Sequence, residues 1–469
     1  MREFTPGQAG TPEDAKNRFR WAWLLMIGAV LVILTAVLAP RPANEPTDHS
    51  SSTNAPTSGI ATTSFLKTRI PQLRHLWDLP PGVTAEEVVT NKVSQFARNR
   101  REVLHKLAKH LKLEVPAEFD KFFDAVEAGN WDKAHDLFEA IKKIRYSTGT
   151  EAMAELLPVL TETYGVAEAA HAWPAQQLLD YGQAVLGSLR PDMVYVGGND
   201  AGLYIPTLLN ETSEGERHVV LTQNGFADGG YVQYVRFLYA DRLATLTSED
   251  SQRGFQDYLA DAQKRLQHDQ QFPNEVRQIR PGEDVRVEEN RVQVSGHVAV
   301  MAINEKLFQT LMDKNPSVSF AINQSFPFQS TYASAVPLGP IMELRNQDGL
   351  TPERAVQSVD YWRTTSQELL SDPEITDSSP ARQAYGKMAA EQAALLLDRE
   401  YVAEAEQTFR MANEILPANP AIVFRYVSFL AGQNRLDDAI PLVRNAANLA
   451  PDNKQFRDLL ENLQKTKKN

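Results

Sequence analysis

The sequence of 469 residues contains no cysteine. This absence excludes disulfide bonds, thiolate metal ligands and cysteine nucleophiles together, and it leaves packing as the source of stability. The chain also lacks an excess of positive charge, because 60 acidic residues outnumber 48 basic ones and the formal net charge is −12. Nucleic-acid binding depends on clustered Lys and Arg, so the composition argues against a nucleic-acid partner.

Motifs of the common enzyme chemistries are missing as well. The sequence has no phosphate loop with Gly-Lys-Ser/Thr, no nucleophile elbow, no His-Glu-x-x-His pair and no complete dinucleotide fingerprint. The nine histidines are scattered, and His105 and His110 lie five positions apart, so they would not share a helix face. We therefore predict no catalytic residues, no metal site and no cofactor.

Long hydrophobic runs are also scarce, and only Trp21–Ala39 could span a membrane. This uncharged segment would measure about 28 Å as a helix, which is roughly the thickness of a bilayer core. Lys16, Arg18 and Arg20 precede it, which predicts a cytoplasmic tail (1–20), a transmembrane helix (21–39) and an exported remainder. A cleavable signal peptide is the alternative, although the run is longer than a signal core and Pro40 follows it.

Four further regions follow this segment. Residues 40–64 are rich in Pro, Ser, Thr and Asn and predict a disordered linker. In the remaining chain, the spacing of apolar residues predicts a helical region at 65–172, an α/β domain at 173–350 and a second helical region at 351–469.

The first helical region begins with an amphipathic segment, Thr84–Leu113. Its apolar residues recur at spacings of three and four, which predicts one helix. Its other face is basic and carries Lys92, Arg98, Arg100, Arg101, Lys106, Lys109 and Lys112. Such a face could dock on anionic lipid headgroups or an acidic polymer, or it could simply be solvated.

A helical hairpin is predicted at Glu118–Ile144, with its turn at Gly129–Asn130. The run from Gly129 to Ala134, with Phe138 four residues later, resembles the turn and second helix of a tetratricopeptide repeat. In that family the small Ala lets two helices approach closely. Any helical hairpin needs a small residue at its crossing, so an ordinary hairpin is the alternative.

The C-terminal region repeats the pattern with an offset of 34 residues. Its signature positions are Ala405, Phe409, Ala412 and Pro417, which recur as Ala439, Val443, Ala446 and Pro451. This offset is the period of tetratricopeptide repeats, and the resemblance covers roughly Ala381–Thr466. It implies stacked hairpins that bind other proteins, closed by a last helix. The family's bulky aromatic and Gly in the first helix are replaced by Ala389 and Ala393, and again by Val423 and Val427.

The middle region contains strand-like and helix-like segments in an order that predicts an α/β domain with a mixed sheet. A strand at Met193–Val196, a helix ending near Leu209 and a strand at His218–Thr222 favour a parallel pair. Alternating apolar residues predict strands across Val285–Ile303, and another strand is predicted at Ser317–Ile322.

This domain is similar to the soluble C-terminal region of a large family of bacterial multi-spanning membrane proteins of unknown function, regarded as protein O-mannosyltransferase-like. The similarity covers about Trp173–Arg345 and rests on the run from Ser188 to Asp200 and on Val318–Ala321. Gly198 stands where the family has the first acid of its Asn-Gly-Asp-Asn-Asp loop. Because this chain has one spanning segment and the family has many, the resemblance implies a detached accessory domain.

Asn199 and Asp200 are the candidate ligand-binding residues, because open α/β sheets place ligand groups at the carboxyl ends of strands. The alternative is that Asp200 only caps the following helix. The aromatic residues Tyr231, Tyr234, Phe237 and Tyr239 are interpreted as core rather than as a sugar platform.

These patterns predict a single-pass, membrane-anchored and exported scaffold. It would bind other proteins through the repeat region and the membrane through Trp21–Ala39. The alternative is an accessory or sugar-binding component, or an enzyme, of an envelope glycosyl-transfer system, for which a glycan would be the partner.

Overall fold

The computed structural model describes residues 77, 79–148, 150–198, 200–288, 291–323, 334–344 and 349–468. The predicted tail, the span Trp21–Ala39 and the linker lie outside the described residues, as does Asn199. Within the described ranges, no helix combines the length and apolar character that crossing a bilayer requires.

Five helices open the described chain: α1 (Ala85–Leu111), α2 (Ala117–Glu127), α3 (Trp131–Thr148), α4 (Glu151–Ala172) and α5 (Ala175–Leu186). The first begins at a capping box, as its sequence favours. Thr84 Oγ1 accepts from the Glu87 amide at 3.2 Å, and the Glu87 carboxylate accepts from the Thr84 amide at 3.0 Å. The turn between α2 and α3 lies at Gly129, as predicted.

The basic face of α1 is only partly solvated. Arg101 forms ion pairs with carboxylates of α2, and Lys92 Nζ donates to the carbonyl and hydroxyl oxygens of Thr212, both at 3.2 Å. Arg100 is buried among carboxylates of other helices. Neither sequence interpretation of this face is therefore right for these three residues, because helical periodicity does not reveal what packs against a face.

The middle region follows in the order β1 (Val194–Gly197), α6 (Ala201–Glu211), β2 (Val219–Thr222), α7 (Gly229–Tyr239), α8 (Ser248–Gln271), β3 (Asp284–Glu288), β4 (Arg291–Ser295), α9 (His297–Lys314), β5 (Phe320–Ile322), β6 (Ala335–Leu338) and β7 (Ile341–Leu344). Five strands form one sheet in the order β2-β1-β5-β7-β6. Strands β2, β1 and β5 are parallel, and β7 is antiparallel to both β5 and β6. The predicted mixed sheet and its parallel pair are confirmed.

The strand prediction for Val285–Ile303 is only half right. The hairpin β3–β4 forms a separate two-stranded sheet, and the chain turns at Gly296, whose φ is 95°. From His297 onward the residues are helical, so Val298 and Val300 do not extend a strand. Helical spacing explains the change, since the buried residues of α9 include Ala299, Ile303, Leu307 and Leu311.

The chain ends in six helices: α10 (Pro352–Ser371), α11 (Pro380–Asp398), α12 (Val402–Ile415), α13 (Pro420–Gly432), α14 (Leu436–Leu449) and α15 (Lys454–Lys468). Helix α15 is the closing helix that the sequence predicts, and it buries Phe456 and Leu463 in the core of α13 and α14.

Both faces of the large sheet are covered. Val194 and Val196 of β1 contribute to the core shared with α8 and α9, whereas Tyr195 points to the opposite face. That opposite core also contains residues of α1 to α6 and of α10 to α12. The hydrophobic core therefore continues across the predicted boundaries at 172/173 and 350/351.

One buried side chain, Gln392 of α11, ties the C-terminal helices to the sheet. Its Nε2 donates to the carbonyl oxygens of Gly339 and Ile341, both at 2.9 Å, where β6 turns into β7. Its Oε1 accepts from Ser358 Oγ at 2.8 Å and from Trp362 Nε1 at 2.9 Å, both on α10. Because an amide has two donors and two acceptor sites, all of its hydrogen-bonding capacity is used.

Candidate functional site

The candidate site lies at the edge where the three parallel strands end. Strand β1 connects through α6 to β2 on one side, and β5 pairs with β1 on the other side. The carboxyl ends of β1 and β5 therefore form a topological switch point, which is where open α/β sheets bind ligands. The residues that follow the strands at this edge include Asp200, Gln223 and Asn323.

Asp200 caps the helix that follows β1. Its Oδ1 accepts from the Gly202 amide at 2.9 Å, and α6 begins at Ala201. The capping role, which the sequence analysis gave as the alternative for Asp200, is thus observed. A ligand contact by Asp200 stays a prediction, and so does one by Asn199, which lies outside the described residues.

Asn323, after β5, packs directly against the first turn of α6. A Cβ atom added to Gly202 would lie 1.8 Å from Asn323 Nδ2, so any larger residue would displace the Asn323 side chain. Gly197 has a similar role, because a Cβ there would lie 2.8 Å from the Leu203 Cα atom. The glycines bring the ends of β1 and β5 and the start of α6 into contact.

Two buried amide side chains at this edge have unpaired polar atoms. Gln223 is 1% exposed, and neither its Oε1 nor its Nε2 has a hydrogen-bond partner among the described residues. Asn323 is 5% exposed; its Nδ2 donates to the Tyr181 hydroxyl at 3.3 Å, while its Oδ1 has no partner within the same ranges. An unpaired buried polar atom costs about 1–3 kcal/mol, so any bound group that offers both donors and acceptors, water included, would stabilise these atoms.

The loop between β2 and α7 is held in place from α9. Asn304 is buried, and its Oδ1 accepts from the Ala227 amide at 2.7 Å while its Nδ2 donates to the Asn224 carbonyl at 3.3 Å. Thr222 Oγ1 donates to the Gly198 carbonyl oxygen, which joins the loops after β1 and β2. The side chains at the edge are therefore supported by a fixed backbone.

Burial controls the ionisable groups close to this edge. It raises the pKa of the Tyr181 hydroxyl, and the nearby Asp200 raises that pKa further, so the phenol is neutral at pH 7. Burial also raises the pKa of Glu155 on α4, with additional increases from Asp228 and Glu151. Asp228 caps α7 through a bond from the Gly230 amide at 2.9 Å, so the charge that helps to raise the pKa of Glu155 lies at the start of that helix.

The aromatic residues of α7 belong to the core, as the sequence predicts. The Tyr231 hydroxyl accepts from the Thr222 amide at 2.7 Å, and the Tyr234 hydroxyl donates to Glu162 at 2.7 Å. Both polar ends are thus used inside the protein and do not form a platform for a sugar ring.

The three hairpins with the repeat signature share one turn geometry. Gly129, Glu400 and Asn434 have φ values of 67°, 64° and 58°. In each turn the amide of this residue donates to the carbonyl three residues earlier, and the next amide donates to the carbonyl five residues earlier.

The signature residues occupy equivalent places in the C-terminal hairpins. Helices α12 and α14 begin and end 34 residues apart (436 − 402 and 449 − 415). The apolar signature side chains are all buried, namely Ala405, Phe409, Ala412, Ala439, Val443 and Ala446. Pro417 is half-buried and Pro451 is exposed, directly after these helices. Ala389, Ala393, Val423 and Val427 are buried in the core as well.

Gln223 and Asn323 were missed by the sequence reasoning. Each is an amide residue that directly follows the last residue of a strand, Thr222 or Ile322. That position is the available signal, because the loop after β1, at the carboxyl end of a strand, is also what drew attention to Asp200. The pairing partner of each strand, and hence the convergence of the three residues, required the topology.

The site holds no recognisable metal centre within the described residues, where no group of three or more His, Asp and Glu could hold a metal ion.

The protein as described is a mixed α/β sheet that is covered by helices on both faces and joined to helical hairpins. No family model, no curated protein and no solved structure matches the chain.

Two substitutions separate the capping role of Asp200 from a ligand role. Asp200→Ala removes the cap and is expected to cost about 0.5–2 kcal/mol, whereas Asp200→Asn keeps a capping oxygen and is expected to unfold like wild type. Thermal unfolding followed by circular dichroism measures both. If Asp200→Asn also supports full function in cells, the ligand role is excluded and Asp200 is architectural.

Proposed function

We propose that this protein is a membrane-anchored, exported scaffold that binds other proteins through the helical hairpins of its C-terminal region. The observation that carries the proposal is the 34-residue recurrence, which extends from the sequence to helix ends, turn conformation and burial. Stacked hairpins of this kind create extended surfaces whose main use is protein recognition. The resemblance to tetratricopeptide repeats is the reason for proposing that the partners are other proteins.

The first helices of the two hairpins supply a shared surface. Glu391 of α11 and Arg425 of α13 form an ion pair at 2.7 Å between these helices, and the two residues are 34 positions apart (425 − 391). Asp398 lies near enough to interact with Arg425. Burial raises the pKa of Asp398 above its ordinary value, and the opposing effects of Arg399 and Arg425 are smaller. A charged surface that spans consecutive repeats suits a partner segment with charges of both signs.

Cross-linking in intact membranes tests this proposal. Full-length protein carrying Arg425→Glu is compared with wild type and with the control Arg444→Glu, which changes an exposed arginine of α14 by the same charge. We expect partner cross-links that map to α11–α15 and that decrease in the Arg425 variant alone. Cross-links confined to other regions, or equal losses in both variants, would contradict the proposal.

The hairpin packing has its own prediction at Ala439. Its side chain is fully buried on α14, which packs between α13 and α15. Ala439→Arg is expected to destabilise the C-terminal region by roughly 2–4 kcal/mol, because it overpacks a helix crossing and buries a charge. Asn445→Arg, at an exposed position of the same helix, is the control in chemical denaturation. Equal denaturation midpoints would refute the proposed repeat register.

A second candidate function is an accessory, sugar-binding role in an envelope glycosyl-transfer system. The unpaired amide atoms of Gln223 and Asn323 favour it, since sugar hydroxyls both donate and accept hydrogen bonds. The similarity of residues 173–345 to the mannosyltransferase-like family points the same way. Titration of the full-length protein with nucleotide sugars and lipid-linked sugars, using Asp200→Asn as the comparison, tests this role.

A further inference from the structure

A cleft lies at the opposite edge of the sheet from the candidate site. It has a volume of about 440 Å³ and is bounded by α1, the end of α6, the loop before β2, and the end of α7 with the turn that follows it. Helices α6 and α7 begin beside the carboxyl ends of β1 and β2, so their last residues lie near the amino ends of the strands. This cleft therefore shares no residue with Asp200, Gln223 and Asn323.

The cleft is lined by more cations than anions, although the chain as a whole carries a net charge of −12. Its charged lining residues are Arg100, Lys106, Arg217, Arg242, Glu102 and Glu211. Lys106 is paired with Glu102 at 3.3 Å, and Arg217 approaches Glu211 at 3.8 Å. Arg242 donates to the Arg217 carbonyl oxygen at 2.7 Å and forms no ion pair within the described part of the chain.

Arg100 supplies an unused donor in the wall of the cleft. This residue is 3% exposed, and it pairs with Glu162 at 2.5 Å through Nε and with Glu211 at 3.3 Å through Nη1. Its Nη2 has no hydrogen-bond partner among the described residues. A buried, charged donor without an acceptor is costly, so an acceptor from a ligand would stabilise it.

We propose that this cleft binds a phosphate group. Arginine side chains offer paired N–H donors whose spacing matches the oxygens of phosphate, and Arg217 and Arg242 are exposed enough to reach a bound group. The volume lies in the range of small-ligand pockets, roughly 300–1,000 Å³. The same chemistry fits a soluble phosphate compound or an anionic lipid headgroup.

Calorimetric titration of the full-length protein in detergent tests the proposal. The probes are inorganic phosphate, pyrophosphate and the water-soluble lipid dihexanoyl phosphatidylglycerol, with dihexanoyl phosphatidylcholine as the zwitterionic control. We expect saturable binding of at least one anionic probe. Binding of phosphate or pyrophosphate alone identifies a soluble compound as the source, and binding of phosphatidylglycerol alone identifies a headgroup.

Two variants decide whether the cleft is responsible. The double variant Arg217→Gln/Arg242→Gln should weaken binding by at least about tenfold. The double variant Arg410→Gln/Arg444→Gln, at exposed arginines of α12 and α14, removes the same two charges and should leave binding within about twofold. Equal thermal midpoints show that the variants are folded. If no anionic probe binds up to about 10 mM, or if both variants weaken binding equally, the arginines only balance the carbonyl ends of α6 and α7 and the proposal fails.

Discussion

Replacing Gln392 with Leu is expected to lower the free energy of unfolding by roughly 4–6 kcal/mol, the largest effect of any single substitution considered for this protein. Leucine fits the space of the side chain but makes none of its four hydrogen bonds. The Ser358 hydroxyl, the Trp362 indole N–H and the carbonyl oxygens of Gly339 and Ile341 would then be left without this partner. Each such loss in a buried place costs about 1–3 kcal/mol, reduced by local relaxation.

Chemical denaturation of Gln392→Leu alongside Gln383→Leu measures this effect. Gln383 lies on the same helix, is half-buried and makes one long hydrogen bond to the Asp377 carbonyl at 3.3 Å, so its replacement should cost less than about 1 kcal/mol. Similar midpoints for both variants would show that the four bonds of Gln392 do not hold the helices to the sheet.

The consequence of this link is that the first helices of the C-terminal region are fixed to the sheet. Gln392 joins α10 and α11 to the turn between β6 and β7, and one core runs from the N-terminal helices into α12.

Local patterns in the sequence predicted much of the architecture. The β-branched and aromatic run at Met193–Val196 and the helical spacing in α1 depend on neighbours in the chain, and the recurrence of Ala405 as Ala439 is found by comparing two segments 34 residues apart. These features can be recognised in the sequence because each one is a pattern of residue types along the chain. The same reasoning located the cap at Asp200, because a helix start is a local event.

Features that depend on distant contacts could not be predicted. Asn323 meets Gly202 across 121 positions (323 − 202), and no local pattern relates the two. The error at Val298 and Val300 has a different cause, because alternating valines fit a strand until the backbone turns at Gly296. The buried helical face from Ala299 to Leu311 then outweighs the local preference of valine for strands.

Arg100 is buried, although the sequence analysis placed it on the basic face of α1. Burial by itself lowers the pKa of Arg100, but Glu162, Tyr234 and Glu211 raise it well above its ordinary value. The guanidinium is therefore charged at any pH at which the protein is folded. Its ion pairs connect α1 to Glu162 on α4 and to Glu211 at the end of α6.

Arg100→Met is expected to cost roughly 3–5 kcal/mol, because removing one member of a buried ion pair leaves the other charge uncompensated. Glu162 would lose the cation that pairs with it, and Glu211 would keep only the more distant Arg217 at 3.8 Å. Arg98→Met, at an exposed position of the same helix, should change stability by less than about 0.5 kcal/mol. Chemical denaturation at pH 7 compares the two. If instead Arg100→Met unfolds at the wild-type midpoint, the carboxylates are screened by solvent and Arg100 belongs to the surface that the sequence suggested.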